Sequence, residues 1–405
     1  RLADKVSSVF TPTVIIIAIL SGVLWFVLGQ SFIFALTIFI TILIIACPCA
    51  LGIATPTAIL VGTGLGAQNG ILIKGGEALE VAKKVNTIIF DKTGTLTKGT
   101  PEVTDVIRLS NVKEDEVLRL AAIAEIGSEH PIGEAIVKRA KEKKLTIPNV
   151  KTYQTISGKG IKASYLNKQI LVGNKILMED NAVETGKLHS EIEKLENEGK
   201  TTVIVAYGGK VIGLIAVADT LKEFSKEAVD TLKRRMNIDV WMITGDNERT
   251  ANAIAKEVGI DYVMAQVLPE DKAKKVKELQ DKGAVVASVG DGINDAPMLA
   301  QADLGIAIGS GTDVALETGK IVLIKNDLRD VVTAIDLSKY TVNKIKQNLF
   351  WAFFYNTVGI PIAAGILYPF FGLLLSPIIA GAAMAFSSFS VVGNSLLMRR
   401  YKHKM

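Results

Sequence analysis

Two long stretches of this sequence carry no ionisable acid or base: from Val6 to Ile73, and again from Gln347 to Met398, there is no Asp, Glu, Lys or Arg. A soluble domain does not leave so much contiguous chain without charge at its surface, whereas a bilayer crossing needs about 20 apolar residues. The first block fits two crossings, Thr11–Leu28 and Phe32–Ile73, divided by the polar break Gly29-Gln30-Ser31. The second fits two more, Gln347–Leu367 and Leu373–Leu396, with Tyr368-Pro369 at the turn. Lys and Arg gather on the cytosolic side of membrane proteins. Arg1, Lys5, Lys74, Lys344, Lys346, Arg399, Arg400 and Lys402 all fall at one set of ends, and the short connecting loops have none. Both termini and the charged middle of the chain are therefore expected in the cytosol, with lipid around the uncharged blocks. The net charge of +5 largely reflects this asymmetry and gives no reason to expect a nucleic-acid partner. Nothing at the N-terminus resembles a cleaved signal.

The two cysteines of the chain, Cys47 and Cys49, lie inside the second crossing and flank Pro48. Proline has no N–H, so the carbonyl of Ile44 loses its usual helical donor and the helix is expected to kink or unwind there. Unpaired backbone at membrane depth is tolerated where it lines a protein-buried site, and broken helices are where transporters place ion ligands. A disulfide between residues two apart is not expected. Thiolates are soft ligands that favour Cu(I). In the third crossing Tyr355 and Asn356 are adjacent, and in the fourth Met384 and Ser388 are four apart, on one helix face. Polar groups inside a membrane segment are functional candidates, although singly they also serve as interhelical bonds.

The middle of the chain follows another plan. Asn86–Phe90 is a β-branched run that ends in Asp91; Asp239–Ile243 ends in Thr244-Gly245-Asp246-Asn247; Ala284–Val289 ends in Gly290-Asp291-Gly292-Ile293-Asn294-Asp295. Helical stretches at Arg249–Val258 and Glu270–Asp281 alternate with them. Strands alternating with helices predict a parallel doubly wound sheet whose ligands bind at the carboxyl ends of the strands. Three such ends would bring Asp91, Thr244, Asp246, Asp291, Asn294 and Asp295 together, with Lys272 nearby. Several carboxylates in one pocket require a cation, and Mg²⁺ suits oxygen ligands. A carboxylate can itself be the nucleophile of phosphoryl transfer, with lysine and hydroxyl groups neutralising the transferred oxygens.

Asp91-Lys92-Thr93-Gly94-Thr95-Leu96-Thr97, followed by TGDN at 244–247 and GDGINDAP at 290–297, resembles the phosphorylation signature and companion motifs of the P-type ATPases within the haloacid dehalogenase superfamily. The resemblance implies that Asp91 accepts the γ-phosphate of ATP, and that Asp291 and the Thr93 carbonyl hold Mg²⁺ with it. It further implies that Thr244 and Gly245 contact the phosphoryl group, that Lys272 balances its charge, and that Asn294 and Asp295 order the loop. About 130 residues separate Asp91 from Asp219, too many for a crossover helix, so an inserted domain is expected from Glu102 to Ile212. Its Glu125, His130-Pro131 and Gly158-Lys159-Gly160 resemble the nucleotide-binding domain of heavy-metal ATPases. His130 would meet adenine, Glu125 would accept from it, and Gly158 and Gly160 would let backbone approach the phosphates. In the membrane, CPC, then YN, then MxxSS resembles the Cu(I)-transporting branch, which puts Cys47, Cys49, Tyr355, Asn356, Met384 and Ser388 around the path of Cu(I) or Ag(I).

The expected organisation is thus an α/β haloacid-dehalogenase-like phosphorylation domain with an inserted α+β nucleotide-binding domain and four transmembrane helices. Its segments are 1–74 in the membrane with the CPC site, 75–101 phosphorylation domain, 102–212 nucleotide-binding domain, 213–340 phosphorylation domain again, and 341–405 membrane and tail. The resemblance implies an ATP-driven exporter of Cu(I) in the plasma membrane, and admits a cytosolic copper chaperone as partner. No Thr-Gly-Glu occurs, the signature of the family's actuator domain, so the chain is expected to be the C-terminal portion of a longer pump that would not transport alone. Hard ions would want carboxylates in the membrane; the zinc and cadmium relatives add an intramembrane Asp and usually a Lys, and these blocks have neither. A Zn(II)/Cd(II) pump is one alternative. A membrane-tethered phosphatase is another, opposed by the inserted nucleotide domain.

Overall fold

The computed structural model describes residues 2–47, 49–109, 112–128, 130–148, 152–291, 295–309 and 317–401. It divides into two compact units, one of residues Arg1–Lys83 with Thr333–Met405 and one of Lys84–Val332.

In the first unit, helix Leu2–Val27 is followed by Phe32–Ile45, capped by the Ser31 hydroxyl, and then by Cys49–Gln68. Helix Arg329–Ala363 runs 35 residues, and helix Pro377–Leu396 starts with its proline at the first turn and the Ser376 hydroxyl as cap. The first-turn proline lacks an N–H that no helix would use there. Among the described residues three helical stretches, Phe10–Val27, Phe32–Gln68 and Pro377–Arg400, are long and apolar enough to cross a membrane. The fourth expected segment, Gln347–Leu367, forms the C-terminal part of the long helix and the turn after it. Gln347, Asn348, Tyr355 and Asn356 dilute its apolar character. Helix Cys49–Gln68 stops before Ile71–Ile73, which is extended rather than part of the crossing. Large apolar side chains face outward, Ile33 76% and Ile378 84% exposed, as a lipid-facing surface requires.

The second unit is built on two sheets. Six parallel strands run in the order Ile321–Leu323, Leu304–Ile308, Val286–Gly290, Thr87–Asp91, Asp239–Ile243, Tyr262–Met264. Every residue of Thr87–Asp91 and Val286–Gly290 is buried, which is why they read as continuous apolar runs and not as alternations. Register aligns their ends: Asp91 pairs with Ile243, and Phe90 with Val289. The second sheet is antiparallel, in the order Glu102–Arg108, Lys210–Ala218, Thr201–Tyr207, Lys168–Gly173, Gly160–Tyr165, Tyr153–Ile156. Successive side chains go to opposite faces. Ile170, Val172, Val205 and Ile215 pack under helices Glu114–Glu125 and Pro131–Glu142, while Leu171, Ile204 and Leu214 pack against Leu177, Met178 and Leu188.

Candidate phosphorylation site and membrane metal path

Because the strand that ends in Asp91 lies between Val286–Gly290 and Asp239–Ile243, the loops after Ile243 and Gly290 flank it, the usual ligand position of such sheets. Lys272, at the start of helix Lys272–Asp281, reaches in between two carboxylates: its Nζ lies 2.7 Å from Asp91 Oδ1 and 2.7 Å from Asp295 Oδ1. All three side chains are buried. Asp295 is a bracket, since its Oδ2 also accepts the backbone N–H of Asp291 at 3.3 Å. Thr244 is buried, and its hydroxyl accepts the N–H of Asp246 at 3.1 Å; Gly245 beside it is exposed. Asp246 pairs with Lys92 at 2.6 Å. Asn294 lies outside the described residues.

The charges in this pocket do not balance. Burial, and then the Asp295 carboxylate, push Asp91 up to about 7 despite Lys272. Burial and Asp295 likewise raise Asp291. Burial pulls the Lys272 ammonium down, but Asp91 and Asp295 more than reverse it, so the net direction is upward. A pocket whose carboxylates resist ionisation fits a hard divalent cation, which would supply the missing positive charge. Close approach at Gly94 points the same way. This residue has φ +71°, and a Cβ there would collide with Asp291 Oδ2; only glycine lets the Asp91 loop lie against Asp291.

Sequence reasoning missed a second buried lysine. Lys222 Nζ binds the Gly94 carbonyl and lies 2.5 Å from Asn326 Oδ1. Burial brings it down to about 8, against the pull of Asp291 and Asp219. Asp219, used in the sequence only to mark the end of the insertion, accepts from the Thr97 hydroxyl at 2.5 Å and the Gly99 N–H at 3.2 Å. The one available signal was Asp219-Thr220-Leu221-Lys222 directly after the apolar run Val211–Val217.

In the inserted sheet domain, His130 caps helix Pro131–Glu142: its Nδ1 accepts the N–H of Ile132 at 3.3 Å, which leaves Nε2 as the donor facing outward. Glu125 is buried, and burial raises its carboxyl against the opposing Ser128 hydroxyl. Gly133 makes room for it, since a Cβ there would stand 2.4 Å from Glu125 Oε2; the sequence reading did not single out this glycine. Gly158 and Gly160 have φ +72° and +137°, and the Gly158 carbonyl accepts from Asn174 Nδ2 at 2.8 Å.

In the membrane unit the helix breaks between Ile45 and Cys49; Pro48 lies outside the described residues. The Ile44 carbonyl, expected to lose its donor, accepts the Cys47 N–H at 3.2 Å, a tighter turn that partly repairs the break. The Cys47 and Cys49 sulfurs are joined as a disulfide with Cα atoms 5.3 Å apart, where two thiols were expected. That separation lies within the span a disulfide bridges, so the expectation of two free thiols is corrected here. Cys47 lines a cavity of about 170 Å³ with Phe10, Thr11, Val14, Ile15, Leu43 and Ala46. Met384 is buried in one apolar cluster with Ile45 and Ala46, and Tyr355 packs against it. The Tyr355 hydroxyl lies 3.3 Å from Ser390 Oγ, Asn356 is buried, and Ser388 is half-buried beside the more deeply buried Ser387.

Residues 85–303 match the family of haloacid dehalogenase-like hydrolases. A relative from Archaeoglobus fulgidus, described as a probable copper-exporting P-type ATPase, is 59% identical over 99% of this chain and 49% of its own length. The chain thus spans about half the length of the curated relatives it matches. A zinc-transporting PIB-type ATPase in an E2·Pi state is similar with a TM-score of 0.76 and 37% identity, over 98% of this chain and 63% of that one. The catalytic domain of the CPx-ATPase CopB-B is 32% identical with a TM-score of 0.53, over 68% of this chain and 98% of that one. With its motifs on this fold and these matches, the chain belongs to the haloacid dehalogenase-like hydrolases and, among them, to the heavy-metal P-type ATPases.

Proposed function

We propose that this chain is the phosphorylation, nucleotide-binding and C-terminal membrane part of a pump that uses ATP to export Cu(I), or Ag(I). The observation that carries the cargo is a helix break at Cys47 and Cys49, with Met384 packed in one cluster with the adjoining Ile45 and Ala46, in a unit whose uncharged blocks have no carboxylate or lysine. Reduced to thiolates, the cysteines would hold a soft monovalent ion, with Met384, Asn356, Tyr355 and Ser388 as neutral neighbours. Copper is favoured over zinc by the relatives: the Archaeoglobus fulgidus protein named for copper is 59% identical, the structural neighbour named for zinc 37%. A soft ion reaches such a site bound to a carrier, so a cytosolic copper chaperone belongs to the same reading. Export, as that relative's name describes it, implies the plasma membrane.

Chemistry follows from the pocket. His130 and Glu125 hold the adenine, and Gly158 and Gly160 let backbone approach the phosphates. With Asp91 Oδ1 engaged by Lys272, Oδ2 attacks the γ-phosphorus; the O–P bond forms as the bond to the bridging oxygen breaks, and ADP leaves. Thr244 and Gly245 receive the transferred oxygens, and Lys272 balances their charge. Asp295, with Asn294, holds the loop and Lys272. Mg²⁺, when bound by Asp91, Asp291 and the Thr93 carbonyl, supplies charge neutralisation for the phosphoryl group. Phosphorylation of the complete pump with labelled ATP tests this: an acid-stable label is expected on wild type and none on Asp91→Asn. A label retained by Asp91→Asn removes Asp91 as the nucleophile.

A further inference from the structure

Lys344, Asn394, Asn348 and Ser395 form a hydrogen-bonded chain inside the membrane unit that the metal-site reading leaves unused. Lys344 Nζ donates to Asn394 Oδ1 at 2.9 Å, and Asn394 Nδ2 donates to Asn348 Oδ1 at 2.8 Å. Asn348 Nδ2 then donates to Ser395 Oγ at 2.8 Å and to the Ala54 carbonyl at 3.1 Å, and the Ser395 hydroxyl donates to the Val391 carbonyl at 3.0 Å. The direction of this chain is forced. An ammonium only donates, so Asn394 must turn its oxygen to Lys344 and its amino group to Asn348; Asn348 is then obliged to aim its own amino group at Ala54 and Ser395. The Lys344 ammonium is kept at the head by the Tyr340 ring, 5.9 Å from the ring centre. Asn348 and Ser395 are fully buried, so the bonds from Asn348 to Ala54 and Ser395 and from Ser395 to Val391 are ones that water cannot replace.

The chain touches three helices: Cys49–Gln68 through Ala54, Arg329–Ala363 through Lys344 and Asn348, and Pro377–Leu396 through Asn394 and Ser395. These are the helices that carry Cys49, Tyr355-Asn356 and Met384–Ser388. At 1.5 Å per residue Ala54 lies about 8 Å along its helix from Cys49, Asn348 about 12 Å from Asn356, and Ser395 about 11 Å from Ser388. The chain is therefore a layer on the Lys344 side of the ligands, at similar depth in all three helices. An apolar seam in lipid has little to fix axial register. A directed chain does, because a one-residue slip turns a side chain by about 100° and takes Asn348 off Ala54. Close packing at the same seam adds to it: a Cβ on Gly62 would stand 2.5 Å from Thr341 Oγ1.

We propose that this Lys344-headed chain is the positioning device of the membrane metal site, holding the three ligand-bearing helices in the register at which their ligands converge. It rests on the metal reading above, and Asn348 acts through the ligands without touching the ion. The test uses the complete pump and two readouts: the Cu(I) concentration giving half-maximal phosphorylation from ATP under reducing conditions, and phosphorylation from inorganic phosphate without metal. Asn348→Leu, which keeps the branched shape and removes two donors and one acceptor, should raise the Cu(I) requirement about tenfold or more, the loss of three intramembrane hydrogen bonds. Phosphorylation from phosphate should be unchanged. Lys344→Met should raise the requirement less, and Lys344→Arg should restore it. An Asn348→Leu pump with the wild-type Cu(I) requirement overturns the proposal. Should Asn348→Leu lose phosphorylation from phosphate, and with it the fold, the Lys344 pair decides: Met equal to wild type overturns the proposal, Met impaired and Arg restored supports it. A wild-type pump indifferent to Cu(I) defeats the metal reading, and the proposal with it.

Discussion

Around Asp91 the side chains that count are charged and answer one another, with Lys272 at 2.7 Å from each of two buried carboxylates; around Cys47 the neighbours are Phe10, Val14, Leu43 and Ala46. On the reading proposed above, both regions would hold a cation. The first would select by charge and oxygen, and its raised carboxyls suit a hard divalent ion. The second, once its disulfide is reduced, would select by softness, with sulfur as the donor. The contrast teaches how, on that reading, one chain would keep two ions apart, because neither donor set suits the other's ion.

The comparison can be broken first at its sulfur end. Cys47→Ser in the complete pump should remove Cu(I)-stimulated phosphorylation from ATP, a loss of 100-fold or more by order of magnitude. Phosphorylation from inorganic phosphate, which uses only the Asp91 pocket, should persist. Loss of both would show that the two regions do not work as separate cation sites. A smaller effect is expected for His130→Gln, whose outward Nε2 donor has a single contact to lose; calorimetry should show ATP binding weakened about tenfold. Unchanged affinity would take adenine away from His130.

The subtlest prediction concerns protons. Since burial and Asp295 push Asp91 up to about 7, its folded-state value lies above the ordinary one, so the proton is favoured below about pH 7 and the nucleophile is lost there. At limiting Mg²⁺ the phosphorylation rate should therefore rise between pH 6 and 8. Saturating Mg²⁺, which favours the ionised form, should move the midpoint downward. A profile flat from pH 6 to 8 at limiting Mg²⁺ would mean that Asp91 is ionised throughout.

Much of this molecule was legible in its sequence because the signals were local. A β-branched run followed by Asp91, Thr244 or Asp291 names a buried parallel strand and the polar residue at its end, and the uncharged blocks name the membrane unit. What escaped depends on chain segments meeting from afar. Lys222 gains meaning only when the Gly94 carbonyl arrives from 128 residues away, and Gly133 only when Glu125 lies beneath it. Asn348 looks like one more interhelical amide until Asn394, Ser395 and Ala54 surround it. The cysteines went the other way. Their spacing spoke against a disulfide, yet the two Cα atoms stand 5.3 Å apart and the sulfurs are joined. Tyr355 and Asn356, the residues taken as candidate ligands, together with Gln347 and Asn348, also blur this helix as a crossing.

Metal-dependent phosphorylation of the complete pump from labelled ATP, under reducing conditions and with one metal at a time, tests the central claim most directly. Two thiolates with neutral Met384, Asn356 and Tyr355 suit a low-coordinate monovalent ion, whereas Zn(II) wants four ligands, often with a carboxylate that these segments do not provide. Cu(I) and Ag(I) are expected to stimulate labelling of Asp91, and Zn(II) and Cd(II) are not. Strong Zn(II)-driven labelling with Cu(I) inert would contradict the account of the membrane site.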